Sequence, residues 1–267
     1  MDVRILCVGD VVGAPGRRAL RQGLEHLVPK HGIDMVIVNA ENVAGGSGLT
    51  PPLYDKVLHY GAHVITLGDH IYRRKEIIGV LERSDRMVRP CNLPSTAPGR
   101  ECVVWETSHG HRVAVLSVLG RLFMKMPVNC PFAGVDRVLG SLPRDVKMVV
   151  VDMHGEATSE KVAMGWHLDG RVSIVFGTHT HVPTADERVL PKGTAYITDV
   201  GMTGPYDSVL GRDKERVLSA MISAVPSPFD VAEGDARMCG VIVTLDASTG
   251  RAASIERVVH VPSDEGE

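Results

Sequence analysis

Short β-branched runs alternate with segments of helical periodicity through most of the chain. That alternation predicts βαβ units, hence an α/β fold with helices on both faces of its sheet. A first strand is predicted over 3–8. After a turn containing Gly and Pro, a helix opens near Pro15, where proline suits the first turn, and runs to about Leu27. A second strand over 35–38 leads into a loop with Gly45, Gly46 and Gly48, then a helix opening at Pro51-Pro52, then a third strand over 64–67. From about 91 to 131 the rhythm changes. There, 102–105 and 112–118 read as an antiparallel hairpin joined by Ser108-His109-Gly110-His111, followed by an irregular stretch with Pro127 and Pro131. Strand patterns resume over 148–151, 172–176 and 195–198, with a helix over 159–168 between the first two. Near the end, 240–245 and 253–259 flank Asp246-Ala247-Ser248-Thr249-Gly250, a hairpin signal with glycine at a left-handed position. The polar residues 263–267 are expected to fray.

Composition narrows the function classes. At 267 residues, 44% hydrophobic and 23% charged, the chain can bury a large core and is read as one domain over 1–267, with room for a small hairpin or cap insertion within about 91–135. A formal charge of −3 supplies no basic stripe to displace counterions from a polynucleotide, so stable nucleic-acid binding is not expected and any nucleotide ligand is small. The five cysteines, Cys7, Cys91, Cys102, Cys130 and Cys239, form no C-x-x-C pair. This argues against a disulfide framework or a thiolate zinc site and fits a reducing cytoplasm. No apolar run reaches the roughly 18 residues of a membrane span, so a cytoplasmic chain without membrane contact is expected.

The polar residues just past each predicted strand are more informative than the strands themselves. In order come Gly9-Asp10, Asn39-Ala40-Glu41-Asn42, Gly68-Asp69-His70, Asp152-Met153-His154, Gly177-Thr178-His179-Thr180-His181 and Asp199-Val200-Gly201. In open α/β sheets ligands bind at the carboxyl ends of the strands, so these groups should converge. Taken alone, an Asp after a strand is a helix cap or turn former; six such ends in succession argue for a metal site. His179 and His181 are alternate residues leaving a strand, expected to point the same way and to serve two adjacent metals. The remaining histidines, among them His26, His63, His109, His167 and His260, read as structural or exposed. The Gly45-Gly46-Ser47-Gly48 loop could cradle a phosphate, but it lacks the lysine of a P-loop. Met124, Met126, Met164 and Met202 read as core or pocket lining.

Mixed carboxylate, amide and imidazole donors suit two divalent ions, iron, manganese or zinc. In such sites, metals roughly 3.5–4 Å apart hold a bridging hydroxide that attacks phosphorus in line. Glu41 is the candidate bridging carboxylate, with Asp10 and Asn42 beside it, and His70, next to the ligand Asp69, is placed as general acid toward the leaving oxygen.

These motifs, together with 154–161, 177–186 and 198–205, resemble the YmdB-like family of calcineurin-type metallophosphoesterases across nearly the whole chain. The resemblance implies an α/β metallophosphoesterase-type layered sandwich, with mixed sheets flanked by helices. It also implies hydrolysis of cyclic nucleotides, 2′,3′-cyclic ones above all, at a dinuclear iron-type centre. It assigns Asp10, Glu41, Asn42 and His181 to one metal and Glu41, the residue at 69, His154 and His179 to the other, with His70 the proton donor. One position departs from the family pattern, which has Gly-Asn-His where this chain has Gly68-Asp69-His70. The extra carboxylate predicts tighter metal retention and weaker attraction for an anionic substrate.

Two other readings compete. A binuclear amidohydrolase also uses a His-x-His pair, but that pair leaves the first strand of its barrel, whereas here it comes after a late strand. The other is a regulatory or scaffold protein that keeps the metal site with little turnover. A small-molecule phosphodiester is the expected partner, and a hairpin or edge strand leaves a homo-oligomer open.

Overall fold

The computed structural model describes residues 2–263, so all but the first of the residues expected to fray lie outside it. In chain order the elements are β1 (Asp2–Val8), α1 (Gly13–His31), β2 (Met35–Asn39), α2 (Pro51–His59), β3 (Val64–Thr66), α3 (Ile78–Arg83), β4 (Met87–Val88), β5 (Cys102–Glu106) and β6 (Arg112–Leu119). Next come α4 (Pro131–Ser141), β7 (Met148–His154), α5 (Thr158–Leu168), β8 (Ile174–Thr178), β9 (Arg188–Val189), β10 (Ala195–Ile197), β11 (Gly204–Pro205), α6 (Lys214–Ser223), β12 (Ala236–Asp246) and β13 (Ala252–His260).

Two mixed sheets stack face to face. One runs β11-β12-β1-β2-β3-β4 with β13 also paired to β12; the other runs β5-β6-β7-β8-β10-β9. Successive side chains of a strand point to opposite faces, and β1 shows the consequence. Val3, Ile5 and Cys7 meet Val113, Val150 and Phe176 of the second sheet in one core. Leu6 and Val8 turn the other way onto Leu20 and Leu24 of α1. Likewise Leu116, Val151 and Val175 of the second sheet pack against Val135 of α4 and Met164 of α5. The result is a four-layer α/β/β/α sandwich, the expected architecture, in which the strands are apolar on both faces because both are covered.

The hairpin expected over 102–118 is β5–β6, and β6 continues into the second sheet by parallel pairing with β7. The expected terminal hairpin is β12–β13, with Gly250 at φ +73°. Three differences have physical causes. Helix α1 runs on past Leu27 with Pro29 in its last turn, and it stops where Gly32 takes the left-handed conformation and returns its N–H to Val28 O. Where the irregular stretch ends, a helix absent from the sequence reading follows: α4 opens on Pro131 as its first residue. Strand β8 sits two residues later than predicted, so Thr178 is a strand residue, and β7 extends through His154. All five cysteines are free. Among the described residues no helix is long and apolar enough to cross a membrane.

Candidate metal centre

Asp10 lies just past β1, Glu41 and Asn42 past β2, and Asp69 and His70 past β3, while His154 closes β7 and His179 and His181 lie past β8. These are carboxyl ends of parallel neighbours in each sheet, the end at which such sheets bind ligands. Stacking the sheets brings the two sets together.

One group is tight. Single donor atoms of Glu41, Asp69, His154 and His179 all lie within 4.8 Å of one another. His154 Nε2 is 3.1 Å from His179 Nδ1, 3.2 Å from Asp69 Oδ1 and 3.4 Å from Glu41 Oε2. Gly68 makes this approach feasible, because a Cβ there would collide with both Glu41 Oε2 and His154 Nε2.

A second, looser group lies across Glu41. Asn42 Nδ2 is 3.1 Å from Glu41 Oε1 and 3.3 Å from His181 Nε2, and His181 Nε2 is 4.0 Å from Asp10 Oδ1. Asp10 Oδ1 is buried with no hydrogen-bond partner, an expensive state that a cation relieves. Asn42 turns its NH2 into the group while its Oδ1 accepts from His70 Nδ1 at 2.6 Å; a half-turn of the amide offers the oxygen as a ligand instead.

The rings are oriented from behind. Thr178 donates its hydroxyl to Asp152 Oδ1 at 2.6 Å, so the same oxygen accepts from His154 Nδ1–H at 2.9 Å, which leaves Nε2 as the lone-pair nitrogen. His181 Nδ1 donates to Leu210 O at 3.0 Å, and His179 Nε2 pairs with Glu156 at 3.2 Å, so Nε2 of His181 and Nδ1 of His179 face the groups above. Every ring presents its free nitrogen inward, as ligands require.

Electrostatics points to the same need for positive charge. Burial opposes ionisation of Glu41, but the charge and hydrogen bond of His154 and the hydrogen bond of His70 hold its carboxyl below the usual carboxylate range. Burial likewise opposes ionisation of Asp69, and hydrogen bonds from His154 and His179 override it. His154 shows the converse: burial disfavours its charged form, yet Glu41 and Asp69 raise it well above an ordinary histidine. A buried imidazole thus answers a surplus of carboxylate charge that a divalent cation answers better. The oxygen and nitrogen donors, the unpartnered Asp10 oxygen and the inward-facing nitrogens fit a metal centre with room for two ions.

His70 stands at the rim. Its backbone N–H donates to Glu41 Oε2 at 3.1 Å, Nδ1 faces Asn42 and Glu41, and Nε2 is 3.9 Å from Asp69 Oδ2. Burial lowers its affinity for a proton, and Glu41 and Asp69 more than restore it.

The expected reason for the His179–His181 pairing does not hold. Both have left the strand and adopt positive φ, +95° and +66°, so a tight turn rather than strand alternation directs one ring to each group. In the glycine loop two amides are engaged within the chain, Gly48 N–H donating to Glu41 O and Ser47 N–H to Ala44 O, while the carbonyls of Gly45 and Gly46 accept from Arg212. Sequence reasoning missed Asp152 and Thr178 as supports, and it noted Asp199 without its partner Lys161, both of them 1% exposed with Nζ 2.7 Å from Oδ2. The signal for Lys161 is its place on the buried face of α5. None of His26, His63, His109, His167 and His260 enters either group, as expected.

With this geometry in hand, the chain was compared with known proteins. It matches the family model described as YmdB-like protein over residues 6–258. It is 43% identical to the 2′,3′-cyclic-nucleotide 2′-phosphodiesterase of Bacillus subtilis (strain 168), covering 96% of this chain and 97% of that protein. Crystal structures of a hypothetical protein from Thermus thermophilus (40% identity, TM-score 0.91, 98% of this chain and 100% of that one) and of a novel phosphatase from Mycoplasma pneumoniae (34% identity, TM-score 0.92, 99% and 95%) share the whole fold.

Proposed function

The chain belongs to the YmdB-like family, and from that membership and the convergent donors we propose that it is a metal-dependent phosphodiesterase acting on 2′,3′-cyclic nucleotides. The single observation that carries the reading is the meeting of Glu41, Asp69, His154 and His179 from four separate strand ends. In this reading those four hold one metal and Asp10, Asn42 and His181, with Glu41 shared, hold the other. Iron is the first candidate, with manganese or zinc as alternatives. Bound there, two divalent ions would polarise the phosphoryl oxygens and offset charge developing on them.

The chain's own residues do the rest. Asp152 and Thr178 fix the tautomer of His154, Leu210 O fixes that of His181, and Glu156 that of His179. His70, with Nδ1 turned toward Asn42 and Glu41, keeps Nε2 to carry a proton to the leaving ribose oxygen. Burial works against that proton, and the carboxylates of Glu41 and Asp69 more than offset it, which favours the protonated form. The burial of Asp10, Glu41 and His154 keeps bulk water from screening the charges at the reacting end.

The test is elemental analysis of the purified protein beside its rate on 2′,3′-cyclic AMP, natural chain against His70→Ala. Two metals per chain, with activity lost on the substitution, is the expected result. Two metals with no turnover of any phosphodiester would instead support a regulatory protein, and no retained metal would overturn the donor argument.

A further inference from the structure

Beside the centre, a cleft of about 320 Å3 is lined by Asp69, Tyr72, Arg73, Lys125, Met126 and Pro127. That size lies at the lower end of small-molecule pockets. Its lining joins the partly buried Asp69 carboxylate of the metal group to two exposed cations from different parts of the chain, Arg73 just after the His70 turn and Lys125 on the 121–129 loop.

Both cations are placed by backbone that is itself held. Arg73 N–H donates to His70 O at 2.9 Å, so the turn that sets His70 also sets Arg73. Gly48, at φ +87°, lets the 73–74 segment lie close, since a Cβ there would meet Arg74 Cγ at 2.7 Å and Arg73 Cβ at 3.1 Å. The 121–129 loop is anchored at both ends. Buried Glu160 accepts from the amides of Arg121 and Leu122 at 2.9 and 3.2 Å, and Asn92 accepts from Asn129 N–H at 2.9 Å and donates to its carbonyl at 3.0 Å.

Neither cation is spent on a protein partner. Arg89, Arg112, Arg137 and Arg171 each pair with a carboxylate, whereas among the described residues Arg73 and Lys125 have none within ion-pair distance and both are exposed. The cleft therefore sets two unpaired cations beside the metal group. A nucleoside monophosphate ring closed at 2′,3′ uses its only phosphate at the metal group and leaves those cations unmatched.

We propose that Arg73 and Lys125 bind a second phosphate of the substrate, on the 5′ side of the ribose. The preferred substrate class is then a 2′,3′-cyclic phosphate carrying a further 5′-phosphoryl group. This rests on the phosphodiesterase reading above. The second phosphate has two sources, a 5′-monophosphate on a mononucleotide or the internucleotide phosphate of a short RNA end, and both present the same anionic oxygens. Charge-assisted contacts of this kind strengthen binding by about tenfold each when well formed.

The experiment compares kcat/KM of the metal-loaded natural chain on adenosine 2′,3′-cyclic phosphate, its 5′-phosphorylated form and the dinucleotide ApA ending in a 2′,3′-cyclic phosphate. Calorimetric binding of adenosine 3′-phosphate and adenosine 3′,5′-bisphosphate provides a readout without turnover. A preference of about tenfold or more for a second phosphate, collapsing toward unity in Arg73→Gln/Lys125→Gln, is expected in both measurements. The two phosphorylated substrates separate a terminal from an internucleotide source. Equal rates on all three with equal binding of the two products overturn the proposal and leave the phosphodiesterase reading standing. No hydrolysis of any of the three overturns both.

Discussion

Replacing Thr178 by Val isolates the support behind the metal centre, because the two side chains have nearly the same shape and only the hydroxyl is lost. Thr178 is fully buried; its oxygen accepts from His154 Nδ1 at 2.9 Å and its proton goes to Asp152 Oδ1 at 2.6 Å. Asp152 keeps donors from Thr66 and Asn39, so its loss is partial. His154 is worse placed, since the nearest other acceptor, Asp10 Oδ1, is 3.8 Å away. A buried N–H without a partner costs about 1–3 kcal/mol, and the ring can escape that cost by rotating toward Asp10, which carries Nε2 away from Asp69 and Glu41. Loss of such an orienting partner lowers metal affinity by roughly 10–100-fold. Competition against a chelator, read by elemental analysis, measures the affinity, and urea unfolding measures the stability. Thr178→Ser retains the hydroxyl and should restore metal affinity despite its missing methyl. If Thr178→Val loses stability but keeps its metals within a factor of about two, well inside that range, the Thr178–Asp152 pair is merely structural and the orienting argument is wrong.

Gly68→Ala should fold yet lose the tight metal group, because the new Cβ would collide with Glu41 Oε2; metal content beside an unchanged circular dichroism spectrum checks this. Asp69→Asn removes a half-buried negative charge from the metal group, so its metals should exchange faster and KM for an anionic substrate should fall, as measured by chelator-challenge rates and steady-state kinetics. His63 is pushed down by burial, with the Arg86 charge adding to it, and its Nδ1 accepts from Val36 N–H at 2.9 Å. Its folded-state pKa lies below the unfolded one, so the unfolded chain takes up the proton first and stability falls as pH drops through about 6.5. The urea midpoint of the natural chain should therefore fall more steeply between pH 7 and 5 than that of His63→Gln. Lys161→Met strands the buried Asp199 carboxylate and should cost about 3–5 kcal/mol in urea unfolding.

Much of the centre was readable because strand ends are readable. An apolar run such as Met148-Val149-Val150-Val151 leading into Asp152-Met153-His154 marks both a strand and the polar group at its mouth, and five such ends name the donor side chains that the fold gathers. The errors came where local signal is silent. Helix α6 rests on one cap, Asp213 accepting from Arg216 N–H at 3.0 Å, in a stretch whose apolar residues, Leu218, Met221 and Ile222, remain exposed, so its periodicity never announced a core-facing stripe. Thr178 lies past the strand predicted over 172–176 but inside β8, which runs two residues further. The supports to the metal ligands come from long-range contacts, such as Thr178 with Asp152 across neighbouring strands and Asn39 with Asp152 across the two sheets, and no spacing along one strand encodes them.

The His179-Thr180-His181 turn explains why a buried ion pair lies beneath the centre. Sending one ring to each metal group requires both histidines at positive φ, a strain of about 1–3 kcal/mol at each. Asp199 Oδ2 accepts from Thr180 N–H at 3.2 Å and Thr180 Oγ1 at 2.7 Å, gripping the residue between them, and Lys161 Nζ donates to that same oxygen and to Thr178 O at 2.6 Å. The anchor thus holds the turn from both sides. Breaking it costs about the same free energy as the strain it opposes, so the turn should relax before the sandwich unfolds. Lys161→Met should accordingly lose metal affinity at His179 and His181 under conditions where far-ultraviolet circular dichroism still reports the native fold, and a variant that keeps its metals until global unfolding would show that the pair supports the core alone.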